Sequence, residues 1–262
     1  MAESILFGTD YHEKFKASDY LKLRFDDPDY DCLPVLRCYH EVFQSLPSGL
    51  TVLDYGTGPV ITTTISASTK ASEIVLSDYT EDSREALRLW LDKRPGAFDW
   101  SPFFSCVVKD LEGKGEKEVE ERQELVRSLV KAVVHCDLTQ DPPIERGYNR
   151  QYDIVISAHC LESVVKTSAE YKSGVEKLAK LVKPGGLLLL VGTKLVSGPE
   201  VYVVGGQSFK GFSTSTELAV EAMTEAGMSD ITFEKLADAS YPKAGSVWRH
   251  TFYKGMKTGT RR

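Results

Sequence analysis

The sequence predicts an α/β fold, with a mostly parallel sheet and helices on both faces. Three observations point there. Short, near-continuous apolar runs recur along the chain, as in strands buried on both sides. Helical stretches separate them. The first run, Val52-Leu53-Asp54-Tyr55, leads into the turn Gly56-Thr57-Gly58-Pro59, and a second, Ile74-Val75-Leu76-Ser77-Asp78, ends on a carboxylate twenty residues after Gly58. Strand, glycine turn, helix, strand and acid make half of a nucleotide-binding βαβ unit.

Residues 1–48 read as a helical cap or lid rich in aromatics: Tyr11, Phe15, Tyr20, Phe25, Tyr30, Tyr39 and Phe43. Strands are expected at 51–55, 73–77, 132–136, 152–157 and 186–193, and helices at 60–68, 82–93 and 168–182. Lys183-Pro184-Gly185-Gly186 stops the last helix and turns into the next strand. A helix at 214–226 precedes two alternating segments, 230–236 and 247–254, suited to an antiparallel pair at one sheet edge. Two insertions interrupt the scheme, at 96–131 and 197–212. The run Glu116–Glu124 in the first reads as a solvated helix face with i,i+4 pairs. Val201–Val204 and Gln207–Phe212 around Gly205-Gly206 in the second read as a hairpin. With no internal repeat or low-complexity linker, residues 1–262 are expected to form a single domain.

An apolar share of 42% supports a sizeable core, and a formal charge of -6 argues against a nucleic-acid partner. The longest apolar run, Leu187–Val191, is too short to span a bilayer, so no membrane partner is expected. Five cysteines, odd in number and scattered without a CxxC, fit reduced thiols in a cytoplasmic protein better than disulfides or a zinc site. No metal is expected. The first 25 residues are polar and carry acids, so a signal peptide is not expected.

Ligands of open α/β sheets bind beyond the carboxyl ends of the strands. Four such ends carry polar or small groups: Asp54 with the Gly56/Gly58 turn, Asp78-Tyr79, Cys136-Asp137-Leu138, and Ser157-Ala158-His159-Cys160. Asp78 is spaced to hold two ribose hydroxyls, Tyr79 to stack on a base, and Asp137 to accept from an exocyclic amine, unless it serves as a turn cap. Ile61 stands where a dinucleotide fingerprint has its third glycine. That argues against a pyrophosphate and for a nucleoside without phosphates, with S-adenosylmethionine the leading candidate.

The chain resembles the small-molecule N-methyltransferases that act on nicotinamide, phenylethanolamine and indolethylamine. The matching text is Phe15 through Leu21, Asp54 through Pro59, Ser77-Asp78-Tyr79, Phe98-Asp99-Trp100-Ser101-Pro102, Lys183 through Gly186, and Tyr202 through Phe209. The resemblance implies a class I S-adenosylmethionine-dependent methyltransferase fold: a seven-stranded, Rossmann-like sheet with an N-terminal lid. It implies that Tyr11 and Tyr20 close the lid on the cofactor, and that Phe25 replaces a tyrosine that contacts it. Gly56, Thr57 and Gly58 would flank the methionine moiety, and Asp78, Tyr79 and Ser83 the adenosine. Asp137 and Leu138 would line the adenine site, Ser157 and Ala158 the strand end beside it. Tyr202 would line the acceptor pocket.

Departures from the pattern bear on the acceptor. Gly192 stands where the nicotinamide enzyme has an orienting acid, which disfavours nicotinamide. His159 stands at a position apolar in that enzyme. Glu162 and Tyr241, and with them Glu200 and Asp238, are the remaining polar candidates for the pocket. A primary ammonium must lose a proton before it can attack a methyl group, and a histidine titrating near 7 would suit that task. His159 is thus a candidate base beside Tyr20, with a plain loop histidine as the alternative. The leading expectation is a monomeric N-methyltransferase of a small amine or N-heterocycle. The alternatives are a thioether S-methyltransferase and a cofactor-binding protein without turnover.

Overall fold

A computed structural model of the chain describes residues 5–26, 32–241 and 243–259. Three helices precede the sheet: α1 (Tyr11–Lys14), α2 (Ala17–Phe25) and α3 (Cys32–Gln44). Then come β1 (Leu50–Tyr55), α4 (Thr62–Ala67), β2 (Ala71–Asp78) and α5 (Glu81–Leu91). The insertion that follows holds α6 (Ser101–Ser105), a π-helical turn (Cys106–Leu111) and α7 (Glu116–Leu129). The chain continues through β3 (Val130–His135), β4 (Tyr152–Ala158), α8 (Leu161–Val164), α9 (Ser168–Lys180) and β5 (Val182–Ser197). The hairpin β6 (Val201–Val204) and β7 (Gln207–Lys210), α10 (Thr216–Glu225), β8 (Met228–Tyr241) and β9 (Ser246–Lys257) complete it.

Seven strands form one sheet in the order β3-β2-β1-β4-β5-β9-β8, and β6-β7 form a separate ribbon. The first five run parallel, and β9 runs antiparallel to both β5 and β8. Strand order reverses between β1 and β4, so their carboxyl ends open the crevice where such folds bind ligands.

Alternate residues of each strand feed two cores, as the period of two requires. Val52, Ile74, Leu76, Ile154, Ile156 and Leu189 face a layer containing Tyr39, Ile65, Leu87, Trp100 and Phe103. Leu53, Val75, Val155, Leu188 and Leu190 face Tyr171, Val175 and Leu178 of α9 and Met223 of α10. Ile61 is wholly buried in the first core, ahead of α4. The helices begin on expected chemistry: the hydroxyls of Thr80, Thr167 and Ser215 accept from the N–H groups of Ser83, Glu170 and Leu218.

Several boundaries differ from the sequence expectation, among them β8, expected at 230–236 and found at Met228–Tyr241. β5 starts at Val182, which pairs with Tyr152 of β4, and runs on to Ser197, because β9 pairs with it from Leu187 to Ser197. Lys183–Gly186 form an irregularity between the Tyr152–Val182 and Ile154–Leu187 pairs, with Gly185 at φ +79°. On α7 the i,i+4 pair Lys117–Glu121 (3.1 Å) lies on an exposed face, while Arg122 turns inward to Glu112 at 2.8 Å.

The N-terminal segment lies over the crevice. Leu6 joins β7 through two backbone hydrogen bonds, to Ser208 and Lys210. Phe15 and Ala17 pack with Val204 and Phe209 of the hairpin, and the Ala17 N–H donates to Asp82 Oδ2 on α5 at 2.6 Å. Among the described residues, no helix is long and apolar enough to cross a membrane, and no cluster of three or more metal-ligating side chains is present.

Candidate functional site

The crevice is a cavity of about 240 Å³ walled by the lid, the strand ends and the hairpin. Its floor is the turn after β1. Asp54 is buried, and its Oδ2 accepts from the Thr57 hydroxyl at 3.1 Å and from the Thr63 hydroxyl, which ties the turn to α4. Burial pushes the Asp54 carboxyl up to about 6. Gly56 and Gly58 take φ values of +67° and +65°, which only glycine adopts freely. A Cβ on Gly56 would strike the Cys160 side chain, so its absence also lets the turn after β4 close in.

Asp78 ends β2 and is fixed by backbone. Oδ2 accepts from the Gly58 N–H at 2.8 Å, and Oδ1 from the Thr80 N–H at 2.9 Å. Burial raises its pKa, and these bonds oppose the rise. Tyr79 and Ser83 also line the cavity, and the Ser83 Oγ accepts from the Thr80 hydroxyl at 2.7 Å. Asp137 and Leu138 line it after β3. Asp137 Oδ1 accepts from the N–H and hydroxyl of Thr139, so it does cap its own turn while facing the cavity. This donor and acceptor set suits a nucleoside: a backbone-anchored acid, a ring and a second acid lie side by side around glycines that leave close approach open.

From the lid, Tyr11 and Tyr20 reach the wall. Tyr11 packs on Phe15 and Phe209, with ring centres at 5.1 and 4.8 Å, and burial raises its phenol pKa far above the usual value. Thr57, Ala158, His159, Glu162 and Tyr202 complete the expected residues found on the wall.

Phe25, Ser157, Gly192, Glu200 and Asp238 are placed elsewhere. Phe25 packs on Trp100 and Phe103, at 5.2 and 5.5 Å, inside the core. Ser157 is buried within β4 behind the wall. Gly192 bears no side chain and is not on the wall; a Cβ there would meet Glu162 Oε1 at 2.8 Å. Tyr241 ends β8, and its side chain lies outside the described residues. Glu200 and Asp238 form exposed ion pairs with Lys210 and Arg249.

His159 requires a correction. It sits at φ +55°, with its N–H donating to Val191 O at 2.9 Å. Burial, the His250 ring and the Arg24 charge hold its pKa well below 6.5. That direction leads away from a base titrating near 7. Glu162 is the group with that property: burial pushes it up to about 7, and its Oε1 accepts from the Thr193 N–H at 3.3 Å.

Arg24, Thr193 and Trp248 also line the cavity and were not foreseen, nor was His250 behind the wall. A helical signal existed for Arg24, which lies four residues after Tyr20 and so on the same face of α2. Trp248 and His250 are two apart on β9 and share one face of it, but that face had no assigned direction in the sequence.

A family model described as the NNMT/PNMT/TEMT family matches residues 3–246. The chain belongs to this family. The indolethylamine N-methyltransferase of Oryctolagus cuniculus is 32% identical over 231 residues, which are 84% of this chain and 84% of that one. The nicotinamide N-methyltransferase of Sus scrofa is 35% identical over 188 residues, 72% of this chain and 69% of that one. Among solved structures, a Haemonchus contortus phosphoethanolamine N-methyltransferase 2 in complex with S-adenosyl-L-methionine superposes with a TM-score of 0.58 at 13% identity. That likeness covers 98% of this chain and 61% of the solved one, and it shows the shared class I methyltransferase fold. The chain is an S-adenosylmethionine-dependent N-methyltransferase of small molecules.

Proposed function

We propose that the crevice transfers a methyl group to the nitrogen of a small amine or N-heterocycle, with Asp78, Tyr79, Ser83, Asp137 and Leu138 holding the adenosine end of the donor. Gly56, Thr57, Gly58, Tyr11 and Tyr20 hold its methionine end. S-adenosylmethionine, when bound, supplies a methyl carbon already activated on a sulfonium. The chain's own work is to exclude water, align the acceptor and present it with a free lone pair.

The observation that carries this reading is Glu162, a buried carboxylate with a pKa near 7 on the same cavity wall as Tyr202. A carboxylate at the acceptor end suits a cationic amine, and one poised near neutrality suits the removal of its proton. An all-apolar end would have suited a thioether. An open cavity continuous with the Asp78 region supports turnover over mere cofactor binding.

The reading takes residues 1–262 as one domain with its own lid, acting as a monomer in the cytoplasm. Free thiols at Cys38, Cys106, Cys136 and Cys160 suit a reducing compartment. The test is a methyl-transfer screen over amines, pyridines and thioethers that reads S-adenosylhomocysteine release. Turnover confined to thioethers, or no turnover by a folded protein that binds S-adenosylhomocysteine, overturns the reading.

A further inference from the structure

Tyr202 stands on β6, in a ribbon separate from the main sheet. Two strands alone are marginally stable, so the place of Tyr202 depends on what ties the ribbon down. Leu6 bonds along β7, and the Ser246 hydroxyl donates to Val201 O at 3.0 Å. Two further ties run to the single turn of α8. Just past the ribbon, the Phe212 N–H donates to Glu162 O at 2.8 Å. At the tip of Tyr202 itself, the phenol donates to Ser163 Oγ at 3.3 Å.

Ser163 passes that bond on: its hydroxyl donates to His159 O at 3.2 Å. A serine hydroxyl has one proton and two lone pairs, so Tyr202 to Ser163 to His159 is a directed chain. His159 needs such a tie. It is a non-glycine residue at φ +55°, a region that persists only where the surroundings over-determine it. Its N–H is held by Val191 O, and Ser163 holds its carbonyl. Ser163 is itself fixed. Its N–H donates to Cys160 O at 3.1 Å, and the lid sits on its carbonyl: a Cβ on Gly8 would lie 2.5 Å from Ser163 O and 3.1 Å from Val164 Cα. Those are backbone atoms, so the approach needs a glycine there. The Ser163 hydroxyl is also a hydrogen-bond partner of Tyr11, opposing the rise in that phenol's pKa. Ser163, Glu162, His159 and Tyr202 all line the cavity.

We propose that Ser163 is the positioning residue of the acceptor pocket: its hydroxyl locks Tyr202 of the ribbon to the turn that presents His159, and so sets the spacing of both from the neighbouring Glu162. This rests on the amine-methyltransferase reading and adds to it a residue that acts through Tyr202. Three walls of the pocket, from the ribbon, α8 and the turn after β4, then move as one.

The test is a double-mutant cycle of Ser163→Ala and Tyr202→Phe. The acceptors are indolethylamine and phenylethanolamine, after which relatives of the chain are named, and S-adenosylhomocysteine release is read. Ser163→Ala should lower acceptor kcat/KM about three- to tenfold, the range for one neutral hydrogen bond. In the Tyr202→Phe background, where the phenol proton is already gone, it should lose most of that effect. Ser163→Thr, which keeps a hydroxyl, should recover part of the rate. A thermal melt confirms that each variant is folded. The same proteins, labelled at the tyrosine Cζ and complexed with S-adenosylhomocysteine, are compared by NMR. The Tyr202 resonance, assigned by its loss in Tyr202→Phe, should move in Ser163→Ala, and the His159 amide should exchange faster. A cost of Ser163→Ala that is absent, or equally large in both backgrounds, overturns the proposal and leaves the methyltransferase reading standing. If neither amine is methylated, the spectrum decides: a Tyr202 resonance that moves supports the tie while the reading of amine transfer fails for these acceptors, and an unmoved one overturns the tie.

Discussion

The carboxylate of Glu162 occupies the space that a side chain on Gly192 would need: a Cβ on Gly192 would lie 2.8 Å from Glu162 Oε1. A strand-five end without an acid is therefore not an acceptor site without one. The carboxylate arrives from α8, one strand over, and its position depends on the glycine.

Glu162→Gln tests that carboxylate through pH. The ordinary value for glutamate is 4.5, and burial raises it here to about 7. The folded state thus holds this proton more tightly than the unfolded chain, and stability falls as pH rises from about 4.5 to about 7, then levels off. Removing the titration should make Glu162→Gln more stable than the parent above pH 7, by up to roughly 3 kcal/mol at about 1.4 kcal/mol per pH unit, with the difference vanishing near pH 4.5. Asp54, raised to about 6, contributes to both proteins and cancels. Urea melts at pH 5 and 8 measure the difference. For an amine acceptor, kcat/KM of the parent should rise with pH towards 7, and the variant should lose that limb.

Gly192→Ala should displace the Glu162 carboxylate without touching the cofactor end. The expected result is a loss of about tenfold or more in acceptor kcat/KM, the scale of one charge-assisted hydrogen bond. The dissociation constant for S-adenosylhomocysteine should stay within error by calorimetry. Equal weakening of both ligands would mean that the substitution disturbs the sheet instead.

Asp78→Ala should weaken S-adenosylhomocysteine binding more than a surface change does. It removes an ionised acceptor, and charged hydrogen bonds contribute roughly 1.5–3 kcal/mol each. It also frees the Gly58 and Thr80 N–H groups that shape the turn. Calorimetry giving an unchanged dissociation constant would place the ribose elsewhere.

Asp82→Ala removes the acceptor of the Ala17 N–H, a tie between lid and body. Amide exchange in residues 10–26 should speed up, while β1 and β4 keep their protection. Addition of S-adenosylhomocysteine should slow that exchange in the parent through Tyr20, and Tyr20→Phe should blunt the slowing and lower turnover with the fold intact. Identical exchange with and without ligand in both proteins would reduce the lid to packing.

The sheet was legible because its signals are local. Apolar runs such as Ile74–Leu76 act within a few residues; Lys183–Gly186, expected to stop the helix, lie instead inside β5, because α9 has already ended at Lys180. The cofactor side was legible for the same reason: Gly56, Gly58 and Asp78 belong to one βαβ unit with a fixed spacing. The acceptor side was not, because it is assembled across distance. Arg24, Glu162, Thr193 and His250 come from four elements, and no spacing relates them. The pKa values are further removed still, since the burial that lowers His159 and raises Glu162 belongs to the folded state alone. Phe25 illustrates another limit. Its helix was expected, but only packing decides that it turns to Trp100 and away from the cavity.

The N-terminal segment fastens at two points, to β7 through Leu6 and to α5 through Ala17. If the spent donor and the methylated product both leave past this strap, loosening it for one loosens the wall of the other, and their departures are coupled. A methylated product added at saturation should slow the dissociation of S-adenosylhomocysteine, and cutting the Leu6 attachment should let the two leave independently.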